Sequence, residues 1–162
     1  MPVDTRTVTG RRTLRFQTLG DLRAEITRLS AAERAGTLRH VGNWSLGQCY
    51  HHLASWMTYI FDGVPGPKPP FFVRWMGPFL KKRFLGGGMP VGFRMPKVKE
   101  GTYATEPMDL VPAEAMYRAA IERLERGTPP DRHMIFGAMT KDEWIAMHLR
   151  HAELHLSFQV PS

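Results

Sequence analysis

The chain has 162 residues, 43% of them apolar, and a single cysteine, Cys49, which suits one buried core and excludes an internal disulfide framework. No run approaches the roughly 20 apolar residues of a membrane-spanning helix, and residues 1–15 lack the apolar core of a signal peptide, so one soluble cytoplasmic domain spanning 1–162 is expected. The net charge of +7 sits in a basic arm, 1–15, with Arg6, Arg11, Arg12 and Arg15, and in residues 64–111, where eight cations face three carboxylates; no base-reading motif accompanies it, so nucleic acid is not the expected partner.

Four segments carry helical periodicity with recognisable ends. The first runs from about Leu19 to Leu29, with Leu19, Leu22, Ile26 and Leu29 on one stripe. The second opens on Ser45, with Gln48 three residues on as a capping box, and continues to about Asp62, where Gly63 and a proline-rich stretch stop it. The third begins at Pro112 and ends at Gly127, with Met116, Tyr117, Ala120, Ile121 and Leu124 on its apolar face. The fourth opens on Thr140 and Glu143, a second capping box, with Met139 and Trp144 placed as a hydrophobic staple, and reaches about Phe158. No segment alternates convincingly as a strand. The expected fold is therefore all-α, an antiparallel four-helix bundle with a long crossover, 64–111, between its second and third helices. Within the crossover, residues 71–85 place Phe72, Val73, Met76, Phe79, Leu80 and Phe84 in one helical arc, with Arg74, Lys81 and Lys82 outside it and Pro78 expected to kink or split it. Packing of this arc onto the bundle is expected, with Trp75 and Phe79 helping to shape a pocket; a lid or a membrane-surface contact are the alternatives.

The placement of the histidines carries the functional signal. On a helical wheel His52 shares its side with Ser45, Gln48, Ser55, Trp56 and Tyr59, whereas His51 points about 100° away, toward solvent or the bundle edge. In the last helix Trp144, His148, His151, His155 and Phe158 recur at spacings of four, three, four and three, a single core-facing stripe. An i, i+4 pair of imidazoles such as His151 and His155 can reach one ion, and His52 is the best third ligand from a neighbouring helix, giving an open three-histidine site. The string His151-Ala152-Glu153-Leu154-His155 is no metalloprotease helix, because its glutamate follows two residues after the first histidine and points away. Gly86-Gly87-Gly88 lacks the Lys and Ser/Thr of a phosphate loop.

Trp44-Ser45-Leu46-Gly47-Gln48 followed by His52-Leu53, the crossover's Gly88-Met89-Pro90, and His151-Ala152-Glu153-Leu154-His155 together resemble the DinB/YfiT-like superfamily, and within it an uncharacterised bacterial domain family. The resemblance spans about Arg11 to Phe158. It implies a four-helix bundle with His52, His151 and His155 holding zinc, nickel or a similar divalent ion, and an activity of the kind seen in thiol-dependent transferases and isomerases, with a thiol cofactor and a small-molecule substrate. His148 and Tyr59 are the candidate acid/base groups, His148 also an alternate ligand or hydrogen-bond donor to one. Cys49 is expected to be a small buried core residue rather than a ligand. The competing function is a non-catalytic bundle that a metal merely stabilises, and a homodimer is left open.

Overall fold

A computed structural model describes residues 3–66, 71–95, 98 and 100–162. Five helices carry it: α1 (Leu19–Arg34), α2 (Leu46–Asp62), α3 (Phe71–Gly87), α4 (Leu110–Arg126) and α5 (Lys141–Leu156). Thr18 and Thr140 each form a reciprocal capping box, with Asp21 and Glu143. Ser45 caps α2 by accepting from the Gln48 amide. The expected return from the Gln48 side chain is not made, because that amide donates instead to the Thr105 carbonyl across the fold.

Cross-helix contacts fix the helix directions. Arg23 and Arg34, near the start and end of α1, pair with Glu125 and Glu114, near the end and start of α4, each at 2.7 Å, so these helices are antiparallel. Asp62 ends α2 beside Arg123 at the end of α4, and Gly47 starts α2 against the backbone just before α4; these two helices run parallel. Lys141 at the start of α5 donates to the Glu125 and Gly127 carbonyls at the end of α4, and the Tyr50 hydroxyl ties α2 to the Ile26 carbonyl of α1. A helical bundle is thus present as the periodicities require, with α2 and α4, on either side of the crossover, parallel rather than antiparallel. Its core is Leu22, Ile26 and Leu29 of α1, Leu46, Tyr50, Leu53 and Met57 of α2, Tyr117, Ile121 and Leu124 of α4, and Leu149 and Leu156 of α5, all 2% exposed or less.

Four short strands were not foreseen. β1 (Leu38–His40) pairs antiparallel with β4 (Gln159–Pro161), in the register Arg39 to Val160; β2 (Arg132–His133) and β3 (Gly137–Ala138) form a hairpin before α5. With three and two residues, such ladders are too short to show alternation. Ahead of α1 the N-terminal arm lies along α5, where a buried pair, Arg150 and Glu153 at 2.9 Å, grips one residue: Phe16 donates its N–H to Glu153 at 2.6 Å and its carbonyl accepts from Arg150.

The crossover holds the main correction. Residues 71–87 form one continuous helix through Pro78, without the expected split. α3 is docked by only one edge of the arc the apolar pattern marks: Leu80 and Phe84 pack on the core, while Met76 and Phe79 of the same arc are 48% and 79% exposed, and Trp75 beside them 77%. The docking face includes Gly77, where a Cβ would fall 1.7 Å from the Ile135 carbonyl oxygen; Lys81 completes it by pairing with Glu143 at 2.7 Å and donating to the Ala138 carbonyl. A glycine contact contributes nothing to a hydrophobic stripe, and this one displaces the predicted face. Phe72, Val73, Arg74 and Pro78 have side chains outside the described set. Neither Trp75 nor Phe79 is buried in a pocket.

The return limb of the crossover lies over the start of α2 because Gly47 permits it: a Cβ there would stand 2.1 Å from the Met108 carbonyl oxygen. Since the obstacle is backbone, Gly47→Ala is expected to lower stability by about 1–3 kcal/mol in urea unfolding, whereas Gly86→Ala, with open space around its Cβ, should not lower it.

Candidate metal centre

α2 and α5 face each other along the line the wheel predicted. His52 is 1% exposed and His148 is 3% exposed; His151 and His155 are half-buried. His51, at the edge of α2, is also half-buried and contacts the Glu106 carbonyl through Nδ1 at 3.2 Å. The spacing of four on α5 puts the rings of His151 and His155 4.9 Å apart, and each lies against His52, at 5.1 and 4.6 Å. One nitrogen from each of His52, His151 and His155 lies within 4.8 Å of the others.

The hydrogen bonds decide which nitrogen is available. His52 Nδ1–H donates to the Tyr103 carbonyl at 2.9 Å, which leaves its Nε2 as a lone pair directed inward. His52 Nε2 and His151 Nε2 stand 3.2 Å apart, so in the metal-free protein the proton between them belongs to His151. Ligand nitrogens about 2.1 Å from a shared ion would be roughly 3.0–3.4 Å apart. The observed 3.2 Å pair already has that spacing, and a nitrogen of His155 lies within 4.8 Å of both. Each of the three fits a divalent ion.

Burial also sets the charge state. It pushes His52 down to about 4, against smaller opposing hydrogen bonds from the backbone. It holds His151 and His155 well below the ordinary imidazole range, helped at His151 by repulsion from His155, His52 and His148 and at His155 by His52 and Arg11. All three are therefore neutral at pH 7, the form a metal requires. Among the described residues no carboxylate joins them in the cluster, which favours ions suited to imidazole.

Aromatic rings form the walls. Trp44 stacks on His155 at 5.1 Å with a 5° tilt and approaches His52 at 4.9 Å. Trp56 lies 6.2 Å from both His52 and His151, and its buried indole N–H has no partner among the described residues. His148 is on the same α5 face, its ring 6.5 Å from His151 and stacked on Trp144, and its Nε2 is likewise buried without a partner. Tyr59 touches Trp56 at 5.8 Å, and that indole in turn borders His52 and His151; burial raises the Tyr59 hydroxyl pKa, leaving it a neutral donor. Cys49 lies in the core, its thiol pushed up to about 12 by burial and accepting from Gln159. The Tyr103 carbonyl had no sequence signal, because a backbone acceptor has no residue signature. The local backbone marks it afterwards: Ala104 has φ 55°, the one positive value among described non-glycine residues, a conformation held at a cost.

The chain matches, over residues 8–162, the family described as protein of unknown function (DUF1569), and belongs to it. No characterised protein and no solved structure matches it.

Buried neutral histidines give a stability that depends on pH. Because unfolding restores an ordinary pKa near 6.5, the unfolded chain binds more protons at acid pH, and stability falls as pH drops from about 6.5 to 4. For His52 alone the loss is roughly 3 kcal/mol, and His148 and His133, lowered by burial to about 3 and about 4, add to it. Urea unfolding of chelator-treated protein at pH 7.5 and pH 4.5 measures this; equal stabilities would show that the imidazoles are not buried as described.

Proposed function

We propose that this DUF1569 member binds one divalent metal through His52, His151 and His155, and that it is a metal-dependent enzyme of the DinB/YfiT-like kind acting on a small substrate, with a thiol as a candidate cofactor. The observation that carries the proposal is the convergence of three neutral imidazole nitrogens, one of them already aimed by the Tyr103 carbonyl, with no fourth protein ligand in the cluster among the described residues.

When bound, an ion with an open position supplies a Lewis acid that makes a water or a thiol nucleophilic near neutral pH. The residues of the chain divide the remaining work. Tyr103 fixes the tautomer and ring plane of His52. Trp44 and Trp56 hold the imidazole rings and restrict water beside them. His148 and Tyr59 are the proposed proton-handling groups: His148 Nε2 is unpaired one helical turn from His151, and the Tyr59 hydroxyl is neutral at pH 7. The alternative, a metal that only stabilises the bundle, differs in requiring a closed coordination sphere.

Two measurements separate these. Elemental analysis of untagged protein should find close to one divalent ion per chain, most of it lost on changing His52, His151 or His155 to Ala and kept in His51→Ala; retention in all three variants removes the site. In cobalt-substituted protein, an added small thiol should produce a sulfur-to-cobalt charge-transfer band. A visible spectrum unmoved by thiol or azide would mark a closed, structural site and remove the enzyme reading while leaving the ligands in place.

A further inference from the structure

α3 is held firmly by one face and presents the other to solvent. At about 100° per residue, Trp75, Phe79, Lys82, Arg83 and Gly86 fall on one side of the helix, and all are exposed, opposite the docked Leu80 and Phe84. Two large aromatic rings, one helical turn apart and more than three-quarters exposed, head this face; Met76, 48% exposed, extends it, and two cations follow a turn later. Isolated apolar residues on a surface need no explanation, but an aromatic cluster on a rigid helix does.

The segment that carries this face has charge of one sign. No carboxylate occurs between Asp62 and Glu100, a stretch with eight lysines and arginines. Lys81 is used inward, on Glu143, while neither Lys82 nor Arg83 has an ion-pair partner among the described residues. The same stretch exposes Phe93 at 67%, beside Arg94. Elsewhere the bundle pairs its surface charges across helices, as at Arg23–Glu125 and Arg123–Asp62. A second copy of the chain does not suit the face, since a symmetric contact would bring two faces of the same positive charge together. Rings that enter an apolar layer, with cations a turn away at the level of negative headgroups, match an anionic lipid surface.

We propose that the outer face of α3 is a peripheral docking site for anionic membranes, with Trp75 and Phe79 inserting at the interface and Lys82 and Arg83 pairing with lipid phosphates. Among the described residues no helix is long and apolar enough to cross a membrane; the contact is a surface one. It is independent of the metal centre.

Flotation of the full chain with phosphatidylglycerol–phosphatidylcholine vesicles and with pure phosphatidylcholine vesicles tests it. Binding is expected to the first and not the second, weakening as salt is raised. The double variant Trp75→Ala/Phe79→Ala should lose at least about tenfold in partitioning, and Lys82→Glu/Arg83→Glu a comparable amount, each with unchanged melting temperature and metal content. Trp75→Phe should keep most of the binding. Failure to bind anionic vesicles, equal binding to both kinds, or binding indifferent to the aromatic pair would each overturn the proposal. So would early melting of the aromatic variant, which would make those rings structural, or tighter capture by an RNA oligonucleotide that ignores Trp75 and Phe79.

Discussion

A buried imidazole with no carboxylate beside it has to be neutral, and a neutral imidazole needs an acceptor for one nitrogen and a donor or an ion for the other. His52 is where this requirement shapes the molecule. Its Nδ1–H takes the carbonyl of Tyr103, a residue 51 positions along the chain, so the crossover has to return over α2 at one height and in one conformation. The neighbouring bonds keep it there: Gln48 donates to the Thr105 carbonyl and His51 meets that of Glu106. Gly47 makes room for the Met108 backbone below them. Four positions of α2, 47, 48, 51 and 52, are thus occupied by one limb, and the left-handed turn at Ala104 is the strain tolerated to bring the carbonyl into place.

How far the sequence revealed this varies with the kind of contact. Side-chain periodicity located the histidines well. A phase error of one residue would have exchanged His51 and His52, yet His52 is the buried one and His51 sits at the edge. The stripe from Trp144 to His155 faces inward as its spacing requires. Capping chemistry placed the starts of α2 and α5, because Ser45 and Thr140 act within one helical turn. Contacts that use backbone or the absence of a side chain were hidden. The Tyr103 carbonyl, the approach at Gly47 and the seat of Gly77 on Ile135 leave no mark in a hydrophobic pattern. The last of these reversed an expectation, turning Phe79 outward. The Gln48 amide was diverted from a local cap by a tertiary partner, the ordinary way that long-range contacts override local rules.

The crossover itself follows from topology. α2 and α4 run parallel, so the chain leaving α2 has to travel back the length of a 17-residue helix, about 25 Å, before α4 can begin. α3 covers that distance with internally satisfied backbone. A 17-residue helix cannot bury all of itself on a bundle already closed by four others, and one face must stay outside. Which face stays outside was settled at Gly77. Once backbone meets backbone there, Trp75 and Phe79 are committed to solvent with Lys82 and Arg83 beside them. The connection that orients the central histidine through its return limb therefore also generates the exposed aromatic and cationic surface through its outward limb, and both consequences descend from α2 and α4 pointing the same way.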